Sequence, residues 1–451
     1  MVNLFSLLLV LGGGMGIALV IRSGFSLLPT AVLISGGLAL IAGILHILID
    51  VPVVALWWVL VLGGTLALLS FKKTRQRIVS NLKTRWKSAD YMFFGITVAV
   101  VSLYSFRIPA PVGWDARSIW FFHASWLTGP AKDYIDGFSM GLIWPDYPIL
   151  GPSSIALVWG HLGGENLPVG SFIILILSLA ALTLCAYYLQ SAFSNSVSIG
   201  VRLGIFSLLL LAGATLANGM IATGYQDVLQ AALIGLLISG LLASHHRQAG
   251  PGDMALLGVW AFLAVNVKQE GFWFAVVILA AYYVASFRQI KFLDFLPLFG
   301  AIAGKLSWWA VLQINDAPDS GSTGGLFQRL PELLDFESTG WSLIGDVMQL
   351  NGWGYFTPLL LILALAVVGP ILLKRAEPGS VAMPIFFLLS WLGLVALIVL
   401  TYALGDSRND LEWWLGTSFS RIVATPDFLV WICVGSSALQ LVRRTNYKIS
   451  R

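Results

Sequence analysis

Apolar runs of about twenty residues, almost free of charge, follow one another along this chain, and they limit its fold more than any other feature. A helix needs about 20 apolar residues to cross the hydrocarbon layer of a bilayer. Such runs fall near 3–21, 28–49, 52–71, 91–106, 169–189, 199–217, 227–243, 254–267, 271–287, 292–312, 356–373, 382–404 and 426–442. Of the 451 residues only 11% are charged, whereas an ordinary soluble domain carries about 25%. With 58% hydrophobic residues, the chain has too little polar surface to face water. The pattern predicts an all-α polytopic membrane protein of about 13 transmembrane helices, with further helices in its outer loops. The 18 Trp and 12 Tyr suit anchoring at the two membrane interfaces.

The net charge of +4 carries topology rather than a nucleic-acid signal, because Lys and Arg gather in short clusters between apolar runs. Lys72, Lys73, Arg75, Arg77, Lys83, Arg85 and Lys87 form one basic loop, which the positive-inside rule places in the cytoplasm. Counting alternately from there, Arg247, Arg288 with Lys291, Lys374 with Arg375, and Arg443 with Arg444 fall on the same side. The first run has no basic residue before it and Arg22 after it, which predicts an uncleaved helix with its N-terminus outside. Residues 1–71 then form an accessory group of helices, 72–90 the basic cytoplasmic loop, and 91–451 the main transmembrane unit. Cys185 and Cys433 lie inside apolar runs and predict small core residues, not a disulfide framework or metal motif. No sequon, Gly-rich phosphate loop or His/Cys zinc spacing occurs.

The outer segments are 107–168, 218–226, a turn around Lys268, 313–355 and 405–425, and the unusual motifs are concentrated in them. Residues 111–127 begin Pro-Val-Gly-Trp-Asp and continue as a short aromatic helix, with Ile119, Phe122 and Trp126 at helical spacing beside Trp120, Ala124 and Leu127. Asp115 is placed either to cap that helix or to do chemistry. Pro145 and Pro148 hold Asp146 in an extended segment, as a turn former or as a fixed acid, base or cation holder. Asp227 follows Gly224-Tyr225-Gln226 where a loop enters a helix, again a cap or a site residue. Lys268 and Glu270 stand near membrane depth, where charges are rare and usually functional; the plainer reading pairs them with each other at a hairpin. Asp410, Glu412, Trp413 and Arg421 sit in a Trp-rich stretch, as an interfacial helix or with Arg421 as a fork for phosphate or carboxylate. His123 reads as a satisfied interfacial residue, and the Asp316-Ala-Pro-Asp-Ser-Gly-Ser-Thr-Gly-Gly stretch reads as part of a lid.

In their order and common side these motifs resemble the GT-C class of membrane glycosyltransferases, which take sugars from polyprenyl-phosphate carriers. The nearest pattern is the bacterial branch around the aminoarabinose and protein O-mannosyl transferases. The resemblance rests on Trp114-Asp115 with the following aromatic helix, Asp146-Tyr147-Pro148, Gly224 to Asp227, Lys268 to Gly271, and Thr417 to Arg421. The chain departs from the family in carrying three apolar runs and a basic loop ahead of the acidic loop, in lacking a large soluble C-terminal domain, and in having the lone Asp115 where some relatives have an acidic dyad. The resemblance implies transfer of a sugar from a polyprenyl-phosphate donor to a glycan, lipid or protein hydroxyl at the outer face of the plasma membrane, with membrane lipid and no nucleic acid as surroundings. It implies catalytic roles for Asp115, as base, and Asp146. It implies substrate contacts by Trp114, Arg117, Tyr147, Tyr225, Asp227, Lys268, Glu270, Asp410, Glu412, Trp413 and Arg421. Lys268, Arg421 and Arg117 would meet the lipid phosphate, and Asp146 would orient the acceptor or hold a divalent cation, Mg2+ or Mn2+; no metal ligand set is assigned. A multi-pass transporter or flippase would also bury charges along its path, although it usually shows related halves, and no internal repeat is visible here.

Overall fold

The computed structural model describes residues 12–19, 26–71, 88–105, 113–145, 147–193, 199–247, 250–287, 289–317, 326–372, 382–405 and 410–449. The basic stretch 72–87, Asp146 and most of the Gly/Ser-rich stretch at 318–325 therefore lie outside the described residues.

The regular structure of the described residues is entirely helical, with no strand. In chain order the helices are α1 (12–19), α2 (Leu27–Ile49), α3 (Val53–Ser70), α4 (Ser88–Ser105), α5 (Phe121–Trp126), α6 (Ala131–Ser139), α7 (Leu150–Leu162), α8 (Leu167–Phe193), α9 (Ile199–Gly219), α10 (Asp227–Arg247), α11 (Pro251–Val265), α12 (Glu270–Ser286), α13 (Leu296–Ile314), α14 (Thr339–Val347), α15 (Trp353–Leu372), α16 (Ala382–Leu404), α17 (Leu411–Thr417) and α18 (Ala424–Ile449). Among the described residues eight helices are long and apolar enough to cross a membrane, and four shorter apolar ones accompany them. The chain is an α-helical membrane protein. Burial follows the solvent: the span on α8 is wholly enclosed, while Val59, Leu62 and Leu66 of α3 and Leu361 and Leu365 of α15 turn apolar side chains outward. Lipid makes such outward apolar surface stable.

At the centre, α8 packs along α10, and α18 and α11 flank α10. Small residues set the closest approaches, as membrane helix packing requires. A Cβ on Gly300 of α13 would stand 2.0 Å from the Gly258 carbonyl of α11, so those helices meet backbone to backbone.

Hydrogen bonds show which segments share an end of the bundle. At one end Gly113 N–H donates to Thr223 O (3.1 Å), Leu150 N–H to Asn266 O (3.0 Å), Trp308 Nε1 to Pro145 O (2.8 Å), and Arg329 Nη1 to Leu404 O (2.9 Å). Asp50, at the end of α2, accepts from Ala131 N–H at the same end. At the other end Asp90, near the start of α4, accepts from Ser26 Oγ (2.7 Å) and Leu28 N–H (2.8 Å). All five motif-bearing segments thus lie together, away from the 71–88 connection.

The long stretch 107–168 is more structured than a loop. It contains α6 and the buried helix α7, whose residues Leu150–Trp159 are enclosed against α2 and α8. The aromatic segment around α5 is also more interior than an interfacial helix. Its buried stripe is Ala116, Trp120, Ala124 and Leu127, with Phe121 and His123, whereas Ile119, Phe122 and Trp126 are half-buried.

Candidate functional site

Two glycines bring the first motif onto the third. Gly113 has no side chain where a Cβ would stand 1.8 Å from the Tyr225 ring, and Gly224, at φ +85°, lies against Phe121 and Ala116. The backbone bond from Gly113 to Thr223 closes the contact, and Asp115 N–H donates to Tyr225 Oη at 3.4 Å. Asp115 itself lies in helical backbone (φ −61°, ψ −33°) and makes no side-chain cap bond. The cap reading of Asp115 is therefore replaced: its carboxylate accepts from Arg421 Nη1 instead. The Arg421 guanidinium also lies 5.0 Å from the centroid of the Tyr225 ring, a cation–π arrangement.

Asp227 heads α10 and is almost fully enclosed. Its carboxylate takes Lys268 Nζ at 2.8 Å, and Lys268 has Glu270 as a second neighbour at 3.9 Å. The hairpin pair read from sequence is the looser of the two contacts. Asp227 lies within electrostatic reach of Arg421, so the two ion pairs form one network of Asp115, Arg421, Asp227, Lys268 and Glu270. Every member is less than a fifth exposed. Burial acts to lower the Lys268 ammonium, but Asp227 and Glu270 outweigh it and hold the group above the usual lysine range. Lys268 is thus a permanent cation.

Tyr147 stands at the same place, edge-on to Trp120 with ring centroids 4.9 Å apart, and its hydroxyl feels the charges of Lys268, Glu270, Asp115 and Asp227. Burial raises it above the usual phenol range, so it remains a hydrogen-bond donor. Tyr402 Oη bonds Ser418 Oγ at 2.7 Å and lies within reach of Glu270, Lys268 and Arg421. Between these groups is a cavity with about 10 Å³ of room, lined by Asp227, Gln230, Lys268, Glu270, Arg421 and Thr425 among others. That is space for about one water.

Comparison with protein-family models, with curated proteins and with solved structures finds no match to this chain.

The structure brings Asp115, Tyr147, Tyr225, Asp227, Lys268, Glu270 and Arg421 together. It does not bring Trp114, Arg117, Asp410, Glu412 or Trp413 there. Trp114 and Arg117 flank Asp115 but are exposed. Asp410 and Glu412 are exposed and line a separate open cleft of about 540 Å³ with Asp346 and Gln349. Trp413 is exposed against Trp414. The reason is that α17 turns Leu411 and Leu415 inward and leaves Asp410, Glu412 and Trp413 on its outer side, whereas Arg421 belongs to the separate short helix Phe419–Ile422 that follows. Among the described residues no three His, Cys, Asp or Glu side chains gather as metal ligands; Asp115 and Asp227 each engage a cation of the chain. These residues do not fit a divalent-cation site, and Asp146 lies outside the description. His123 is a core residue, with a ring nitrogen 3.0 Å from Tyr134 Oη and burial pushing its imidazole down to about 3.

Sequence reasoning missed Gln230, one helical turn beyond Gln226, and Asp427, a half-buried carboxylate of α18 that accepts from Tyr355 Oη at 2.9 Å. Each was visible as an isolated polar residue within an apolar run.

Proposed function

We propose that this protein is a membrane glycosyltransferase that moves a sugar from a polyprenyl-phosphate donor to an acceptor hydroxyl at the extracytoplasmic face of the plasma membrane. The fold would be GT-C-like, with about 13 crossings made from the eight long helices, the four shorter ones and the first apolar run. The observation that carries the reading is the meeting of Asp115, Asp227, Lys268, Glu270 and Arg421 in one buried network at one end of the bundle. Buried charges cost several kcal/mol each unless compensated, and intramembrane charges usually serve a function. The helix that follows the Lys72 to Lys87 cluster in sequence starts at the opposite end, so the positive-inside rule puts the network outside.

The acceptor is an alcohol and needs a base. Asp115 takes that role once its carboxylate is released from Arg421. Both cations are already matched by carboxylates, so a donor phosphate binds by exchange: it takes the Arg421 fork, which suits phosphate geometry, and frees Asp115. The acceptor oxygen then bonds to the anomeric carbon. The bond from that carbon to the phosphate oxygen breaks, its electron pair leaving on the phosphate, and the acceptor proton passes to Asp115. Lys268 and Arg421 stabilise the charge growing on the phosphate. Tyr147 and Tyr225 wall the sugar site. Glycan, lipid and protein hydroxyls all fit this chemistry.

The test is release of free undecaprenyl phosphate from undecaprenyl-phosphate-linked sugars by the purified protein in nanodiscs. Wild type should release it, and Asp115→Asn should lose at least about 100-fold. Near-normal turnover by Asp115→Asn removes Asp115 as base. Passage of the intact donor between leaflets without release favours a flippase instead.

A further inference from the structure

The cavity beside the ion network holds more unmet hydrogen-bonding capacity than its charges account for. Gln230 is 3% exposed, and neither its Oε1 nor its Nε2 has a partner among the described residues. Glu270 Oε2 and Arg421 Nε line the same cavity, and both are likewise buried without a partner. A buried polar atom left unpaired is destabilising, and native structures tolerate few of them. Four such atoms on three residues around one small space point to a bound group.

The chemistry of that group follows from the atoms. Gln230 Oε1 and Glu270 Oε2 accept; Gln230 Nε2 and Arg421 Nε donate. A phosphate oxygen only accepts, so it would meet the two acceptors unfavourably. A hydroxyl donates once and accepts up to twice, so one hydroxyl meets both donors and one of the two acceptors. Charge agrees, since three carboxylates face two cations in the network, which disfavours a further anion in its depth. Room for about one water is room for one hydroxyl, not for a whole ring.

We infer that Gln230 and Glu270 form the hydroxyl-reading subsite of the donor sugar, binding one hydroxyl of an uncharged glycosyl group while the phosphate stays at the Arg421 side. The inference rests on the transfer reading and adds the class of sugar that the site accepts. Gln230 touches the substrate but takes no proton from it; its role is specificity.

The experiment uses wild type and Gln230→Met in nanodiscs with undecaprenyl-phosphate-linked glucose and its monodeoxy analogues, reading undecaprenyl phosphate release. Wild type should lose at least about tenfold in kcat/KM on one monodeoxy donor, because a site built to bond a hydroxyl rejects the analogue lacking it. Gln230→Met should lose at least tenfold on the parent donor, match wild type within about twofold on that one analogue, and melt no lower than wild type. Equal use of all the analogues by wild type overturns the inference, as does a Gln230→Met loss that is the same on every donor. Turnover of none of these donors by wild type overturns the transfer reading and the inference with it, whereas turnover without discrimination overturns the inference alone.

Discussion

Arg421 reaches across 306 positions of sequence to donate its guanidinium to the Asp115 carboxylate. This contact joins the first outer segment to the last, and it holds together the proposed base and the proposed phosphate receptor. Residues that act as one unit give strongly non-additive losses. Asp115→Asn and Arg421→Gln should each reduce donor cleavage by at least about 100-fold, and the double variant should be little worse than either. Steady-state release of undecaprenyl phosphate checks this; losses that multiply would show two independent roles.

Lys268 should matter for folding as well as turnover. Removing one partner of a buried ion pair costs about 3–5 kcal/mol, because the other charge is left uncompensated. Lys268→Met strands Asp227, whose side chain is 3% exposed. Its melting temperature in detergent should drop by several degrees, and adding Asp227→Asn should restore a good part of it. A double variant less stable than Lys268→Met alone would mean the pair does not interact as described.

Gly113 should be intolerant of any side chain. A Cβ there meets Tyr225 at 1.8 Å, and overpacking costs about 1–3 kcal/mol. Gly113→Ala should lower both melting temperature and turnover. Tyr225→Leu in the same background should recover stability without recovering turnover, since the ring under Arg421 is gone. Unchanged activity in Gly113→Ala would separate the Trp114-Asp115 turn from the site.

These contacts show what the sequence makes legible. The transmembrane helices follow from uninterrupted apolar runs, and their ends fall close to the expected places for α9 to α13, α15 and α16. The convergence of Asp115, Lys268 and Arg421 follows from alternate crossings that return each motif to the same end. The partner that each charge takes does not follow, because a cap and an ion pair need the same residue at the same helix start; Asp115 looks like a cap and is not one. Nor does the inside of the 107–168 stretch, where α7 is buried by neighbours distant in sequence. Asp410 and Glu412 lie close to Arg421 along the chain, but the direction of α17 turns them to another cleft.

His123 gives a pH dependence of stability that is separable from the site. Burial pushes its imidazole down from 6.5 to about 3, so between those values the unfolded chain binds a proton that the folded chain excludes. Stability from this residue is therefore complete above pH 6.5 and is lost as pH falls towards 3, about 2 kcal/mol of it by pH 5. The melting temperature of wild type should fall more from pH 7 to pH 5 than that of His123→Gln. Parallel curves would mean that His123 is already charged or exposed in the folded protein.

The most direct test of the exchange between Asp115 and phosphate is a cryo-electron-microscopy structure of the protein with undecaprenyl phosphate. The account predicts the lipid phosphate on the Arg421 guanidinium, with the Asp115 carboxylate turned free towards the outer side. A phosphate bound elsewhere, with the Asp115–Arg421 pair intact, would contradict it.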